Sequence, residues 1–265
     1  MDSEKVTFSF GKNWEQFIKS NFSEERVEIT KTHLLGFLEL ENLKGKYFLD
    51  IGCGSGLHSL AAFKAGAERI VSVDLDPYSV KTTETVREMH GNPSNWEILS
   101  GSILDRQFVS GLDPADVVYS WGVLHHTGKM WEAIENTGGL MKSDGLLYIA
   151  LYTTNSKSDH WLKVKIKYNN ASNLEKRLME FQHVLRYTII PQCIHLQNPL
   201  KTIRQYKQKR GMSFMTDVKD WLGGYPYEHA KIEEVLRFCR SRFDHELINI
   251  KTGEANTEYL FRKRM

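Results

Sequence analysis

The chain has 265 residues, with 35 lysines and arginines against 33 aspartates and glutamates, and 41% of its residues are apolar. That length fits one large domain, or one domain with an elaboration, and the composition is that of a folded globule rather than a disordered tail. Three scattered cysteines (Cys53, Cys193, Cys239) argue against a disulfide framework or a zinc site, and no metal is expected. The longest apolar run, 146–152, is too short to cross a bilayer, and MDSEKVTFSF at the start carries neither a basic nor an apolar signal region, so a cytoplasmic location is expected.

In chain order, residues 1–45 form a leader. Phe8, Phe10, Trp14, Phe17 and Phe22 cluster in it, and an amphipathic helix over 24–40 places Val27, Ile29, Leu34, Leu35 and Leu38 on an apolar side. YFLDIGCGSG follows. Its apolar run, 47–52, suits a strand buried on both faces, and its three alternating glycines lead into a helix over 57–65 that Gly66 ends. A second strand covers 70–74. Pro77 fits the first turn of a helix over 78–90, and a third strand covers 96–100. A strand over 116–120, a helix over 129–141, a KSDG turn and a strand over 145–152 continue the alternation that a doubly wound, mostly parallel sheet requires.

The alternation then stops. Residues 153–224 are too long for a plain connection, and Pro191 and Pro199 divide them, so a mainly helical insert is expected. WLKVKIKYNN within it alternates apolar and basic residues, which alone would suit a strand. A helix over 228–240 and two strands, 245–251 and 257–262, close the chain. The expected organisation is a helical cap (1–45), a Rossmann-like core (46–152), a helical insert (153–224) and closing elements (225–265).

The strand, glycine turn and helix at 47–65 have the layout of a nucleotide-binding crossover. Asp74 stands about twenty residues beyond the glycine turn, where an acidic side chain can take both hydroxyls of a ribose. The dinucleotide pattern G-x-G-x-x-G is not matched, because Leu57 or His58 stands where its third glycine would be.

DIGCGSG followed by VDLDP resembles the class I S-adenosylmethionine (SAM)-dependent methyltransferases, a likeness that covers 47–152. The resemblance implies a seven-stranded sheet whose last strand is reversed, with SAM as cofactor. It implies that Asp50, Gly52, Cys53, Gly54 and Gly56 shape the methionine end of the pocket and that Asp74 and Leu75 meet the ribose. Asp76, Gly101, Ser102 and Ile103 then flank the adenine. Ser102 stands where the family often has an acid, which leaves a hydroxyl to bond the adenine edge. SWGVLHH would pass beside the methyl, with Trp121 on the SAM side. The leader, through Phe10 and Trp14, resembles a cap that closes over SAM, although plain packing on the sheet accounts for the same aromatics.

SAM carries the reactivity itself, so the protein needs chiefly to orient an acceptor and exclude water. A hydroxyl or carbon nucleophile would gain from a base, for which His125, His126 and Glu228 are the candidates; a structural role for the histidines is the competing reading. On the acceptor side the candidates are Tyr225 and Tyr227, in a loop where Asp217, Asp220, Trp221, Gly223 and Gly224 also crowd, and Trp161 in the insert. Residues 155–215 hold twelve basic and three acidic residues, which fits an anionic acceptor under the insert or, equally, a solvated helix surface. The resemblance implies a small acceptor such as a sugar or other metabolite. An RNA (tRNA) methyltransferase and a non-catalytic SAM-binding subunit are the alternatives. The sequence leaves the oligomeric state open.

Overall fold

The computed structural model describes residues 22–201, 203–204, 214–253 and 255–263, together with Gly11, Trp14 and Ile18. Phe8, Phe10 and Phe17 lie outside the described residues. The centre of the fold is a seven-stranded sheet in the order β3-β2-β1-β4-β5-β7-β6. Its strands are β1 (Tyr47–Ile51), β2 (Arg69–Asp74), β3 (Trp96–Ser100), β4 (Ala115–Trp121), β5 (Met141–Tyr152), β6 (His245–Thr252) and β7 (Asn256–Lys263). The pairs from β3 to β5 are parallel, while β7 runs antiparallel to both β5 and β6. The reversed strand is therefore β7, inserted between β5 and β6.

All five β1 residues are buried, as a strand covered on both faces demands. Alternation divides their side chains. Leu49 and Ile51 join α4 (Arg106–Ser110), α5 (Met130–Gly139) and α10 (Ile232–Phe243) on one face. Phe48 joins α1 (Glu24–Leu38), α2 (Leu57–Lys64) and α3 (Pro77–Met89) on the other. Within α1, Val27, Leu34 and Leu38 are buried as expected, but Ile29 faces solvent.

One local expectation changes and one holds. KSDG is not a turn between elements. Ala115 pairs with Met141 and Val117 with Leu146, so residues 142–145 bulge out of β5 while the strand continues. WLKVKIKYNN lies inside α6 (Ser158–Asn170), because Trp161, Lys165 and Tyr168 recur at helical spacing on its buried side.

Beyond α6 come α7 (Asn173–Val184), a π turn (Leu185–Ile189), α8 (Ile190–Ile194) and α9 (Phe214–Gly223). Ser172 and Glu175 form a capping box that starts α7. A third apolar cluster, with Trp161, Tyr168, Val218, Leu222 and Tyr227 buried in it, binds α6 and α9 together beside Tyr152 at the end of β5.

Candidate active site

The parallel strands β1, β2 and β4 all end at one edge of the sheet, and a cavity of about 640 Å³ opens there. Its position outside the carboxyl ends of the strands is where open α/β sheets hold ligands. The glycine turn forms one wall. Gly52 (φ +82°) and Gly54 (φ +54°) adopt backbone that L side chains rarely reach. A Cβ on Gly52 would stand 2.4 Å from a Val123 methyl, and one on Gly54 would stand 3.0 Å from Trp14 Nε1. Gly56 also has positive φ, but it caps α2 against Thr83 and does not line the cavity.

Three carboxylates face this wall and differ in what holds them. Asp50 is buried and accepts a hydrogen bond from Ser59 Oγ at 2.5 Å. Ser59 meets Ser72 Oγ at 2.7 Å, which in turn accepts from Trp96 Nε1 at 2.8 Å. Burial raises Asp50 from 3.8 to about 7, against the pull of the Ser59 hydroxyl. Asp74, at the tip of β2, accepts from Gly54 N–H and Asp76 N–H, each at 2.9 Å, and burial raises it to about 6. Asp76 caps α3 by accepting from Tyr78 N–H at 2.9 Å, and its second oxygen accepts from Gly11 N–H at 3.0 Å. Asp76 lines the cavity and, like Asp74, accepts from backbone N–H groups with both oxygens.

Leu75, Gly101, Ser102 and Ile103 line the same region, as do Trp14, Cys53 and Trp121. Ser102 Oγ accepts from Leu104 N–H at 3.1 Å. Burial pushes the Cys53 thiol well up, and its sulfur lies 3.2 Å from Thr83 Oγ1, so it is not a poised nucleophile.

The opposite end of the cavity is bounded by His125, His126, Tyr152, Tyr225 and Pro226, and by Asp217 and Asp220 on α9. His125 is 1% exposed, and neither ring nitrogen has a hydrogen-bond partner among the described residues. Its ring packs on Tyr152 with centroids 4.0 Å apart, and burial holds its imidazole well below the usual range. His126 donates from Nδ1 to the Pro226 carbonyl at 2.6 Å, and burial lowers it to about 4. Both imidazoles are therefore neutral at pH 7.

Several sequence-predicted site residues lie elsewhere. Glu228 does not line the cavity: both carboxylate oxygens accept from Met130 N–H, at 3.1 and 3.0 Å, at the start of α5, where an acid offsets the helix dipole. Tyr227 and Trp161 are buried in the third cluster instead of facing the cavity.

The basic acceptor side expected from the insert is not found: among the described residues the cavity wall holds no lysine or arginine. Lys157, Lys163 and Lys167 face solvent, which spares their ammonium groups the cost of burial. Lys165 is buried against the Trp221 carbonyl and the Trp221 and Tyr227 rings, and desolvation lowers it to about 7.

Sequence reasoning did not select Tyr119, Tyr152, His58 or Asn256 as site residues, and it placed Asp217 and Asp220 in a loop. Tyr152 ends β5 at the carboxyl edge, a position that itself marks ligand contact. Asp217 and Asp220 carried a signal in their i, i+3 spacing, which puts both on one side of α9.

Residues 49–147 match a protein-family model described as "Methyltransferase domain". Residues 49–147 thus carry a methyltransferase domain. A 107-residue stretch, 40% of the chain, is 36% identical to the tRNA U34 carboxymethyltransferase of Aeromonas hydrophila, and covers 32% of that protein. A 116-residue stretch, 44% of the chain, is 29% identical to the ribosomal protein L11 methyltransferase of Tolumonas auensis and covers 37% of it. The chain thus matches about a third of the length of these curated relatives.

The methyltransferase domain and its additions also resemble solved structures at the level of fold. An O-methyltransferase family protein from Burkholderia thailandensis superposes with a TM-score of 0.57 at 14% identity, over 99% of this chain and 65% of that one. A putative S-adenosyl-L-methionine-dependent methyltransferase from Methanococcus maripaludis gives 0.56 at 14% identity, over 100% and 98%.

Proposed function

We propose that this chain is a SAM-dependent methyltransferase that modifies a hydroxyl or amine of a small-molecule acceptor. The observation that carries the reading is the link between Asp74 and Gly54 beside the cavity, which sets an acid and a glycine-lined backbone on one ligand. The donor set fits SAM. Asp74 takes the ribose, Ser102 and its neighbours flank the adenine, and Asp50 with Gly52 and Gly54 borders the methionine end. The volume lies within the range of small-molecule pockets.

SAM, when bound, supplies an electrophilic methyl on a sulfonium. The chain's residues orient the acceptor and exclude water. Tyr152 and Tyr225 hold the acceptor against the far wall. His125 is the candidate base, and because both of its ring nitrogens are buried, the ring would have to turn toward the cavity to accept the acceptor's proton as the nucleophilic atom takes the methyl. The Asp217 and Asp220 carboxylates disfavour an anionic acceptor on that side.

Calorimetry with SAM and with S-adenosylhomocysteine tests cofactor binding, and mass detection of S-adenosylhomocysteine formed with candidate acceptors tests transfer. Micromolar binding of both ligands is expected. Folded protein that gives no heat with either, while a nicotinamide dinucleotide titrates, would overturn the reading. SAM binding with no transfer to any acceptor would favour a non-catalytic subunit.

A further inference from the structure

Helix α7 is apolar on two opposite sides. On one, Met179 and Val184 pack on the third cluster, and buried Glu180 accepts a hydrogen bond from Tyr168 Oη at 2.6 Å. On the other, Leu174, Leu178 and Phe181 follow one another at i, i+4 and i+7, so they form a single stripe. The fold leaves them 79%, 55% and 60% exposed. Helical backbone then continues through the π turn into α8, where Ile190 and Ile194 are also exposed. Of the sixteen large apolar side chains exposed among the described residues, nine fall within 166–200, so they are concentrated in one stretch of the chain.

The surrounding stretch is basic: 155–215 holds twelve basic and three acidic residues, of which Lys165 is buried and Lys207, Lys209 and Arg210 lie outside the described residues. Lys163, Lys167, Arg177 and Arg186 are exposed on α6, on α7 and in the π turn. We propose that this face docks peripherally on an anionic lipid surface, its aliphatic side chains entering the headgroup boundary and its cations pairing with the headgroups.

Two features favour lipid over other occupants. A second copy would bring the same excess of positive charge against itself. A nucleic acid would engage the cations but leave Leu174, Leu178, Ile190 and Ile194 in water, since bases stack on aromatic rings. Docking, not insertion, is implied, because no helix among the described residues is long and apolar enough to span a membrane.

Co-sedimentation of the full chain with vesicles tests this. Binding is expected to vesicles of phosphatidylcholine with phosphatidylglycerol, weakening as salt rises, and little to phosphatidylcholine alone. The combined change Leu174→Gln, Leu178→Gln and Phe181→Gln is expected to weaken partitioning by about tenfold or more, with circular dichroism and melting unchanged. Phe181→Trp is expected to shift its fluorescence to the blue on the anionic vesicles. Wild-type protein that ignores anionic vesicles overturns the proposal and leaves an acidic protein as the occupant. Equal partitioning of the triple variant, or a dimer that this variant abolishes in the absence of vesicle binding, overturns it as well.

Discussion

Asp74 Oδ2 accepts a hydrogen bond from the backbone N–H of Gly54 at 2.9 Å, so the tip of β2 holds the glycine turn that follows β1. The second oxygen accepts from Asp76 N–H at the same distance. One carboxylate therefore fixes two loops at the mouth of the cavity. Asp74→Ala is expected to weaken SAM binding by ~1–3 kcal/mol through loss of a charge-assisted bond and of loop order. Calorimetry on the variant measures it, and an unchanged dissociation constant would remove Asp74 from the cofactor site.

His125 stands in a different position. Two buried ring nitrogens without partners among the described residues cost stability, and the ring sits against Tyr152 and the His126 ring. His125→Phe keeps the stacking and is expected to raise unfolding stability by about 1–2 kcal/mol while lowering transfer by roughly 10²-fold or more. Denaturant unfolding and single-turnover kinetics read the two effects separately. A variant that is more stable and equally active would make His125 a packing residue.

Glu228 is expected to act on stability alone. Its carboxylate caps α5, and its backbone N–H donates to the His125 carbonyl at 2.9 Å. Glu228→Gln is expected to cost about 1 kcal/mol of folding stability with transfer within about twofold of wild type. A loss of about 10²-fold in turnover at unchanged stability would restore it as a base.

Asp50 predicts a pH dependence. Burial raises it from 3.8 to about 7, so the native state keeps a proton that the unfolded chain has lost. The stability from this group is fully present below 3.8 and is lost as pH rises to about 7. His58 and His126 work the other way: both fall from 6.5 to about 4, so stability is lost as pH falls through that window. The difference between Asp50→Asn and wild type isolates the first effect. The variant is expected to gain about 2–4 kcal/mol relative to wild type as pH rises across the Asp50 window. Thermal unfolding curves that stay parallel over that range would place the Asp50 carboxyl near its ordinary value.

The sheet was legible because each buried strand is a short run of apolar residues closed by a turn signal. Alternation with helices then restricts the topology. The KSDG bulge was not legible, since a strand that loses and regains its register reads locally as a turn. Glu228 and Tyr227 were misassigned for a related reason. GYPYE carries the residue types of a binding loop, but whether each side chain faces a cavity, a helix end or a core depends on elements distant in sequence.

By itself the sequence determined the parallel core, the glycine turn after β1 and the acid at the end of β2, because local backbone chemistry and hydrophobic periodicity act over a few neighbouring residues. Only the tertiary structure decided that Asp217 and Asp220, not lysines, face the cavity, and that Lys165 is the basic residue drawn inside. A helix presents several sides, and which one meets the cavity is set by the packing of α6 against α9 around Trp161 and Leu222, contacts that no local pattern encodes.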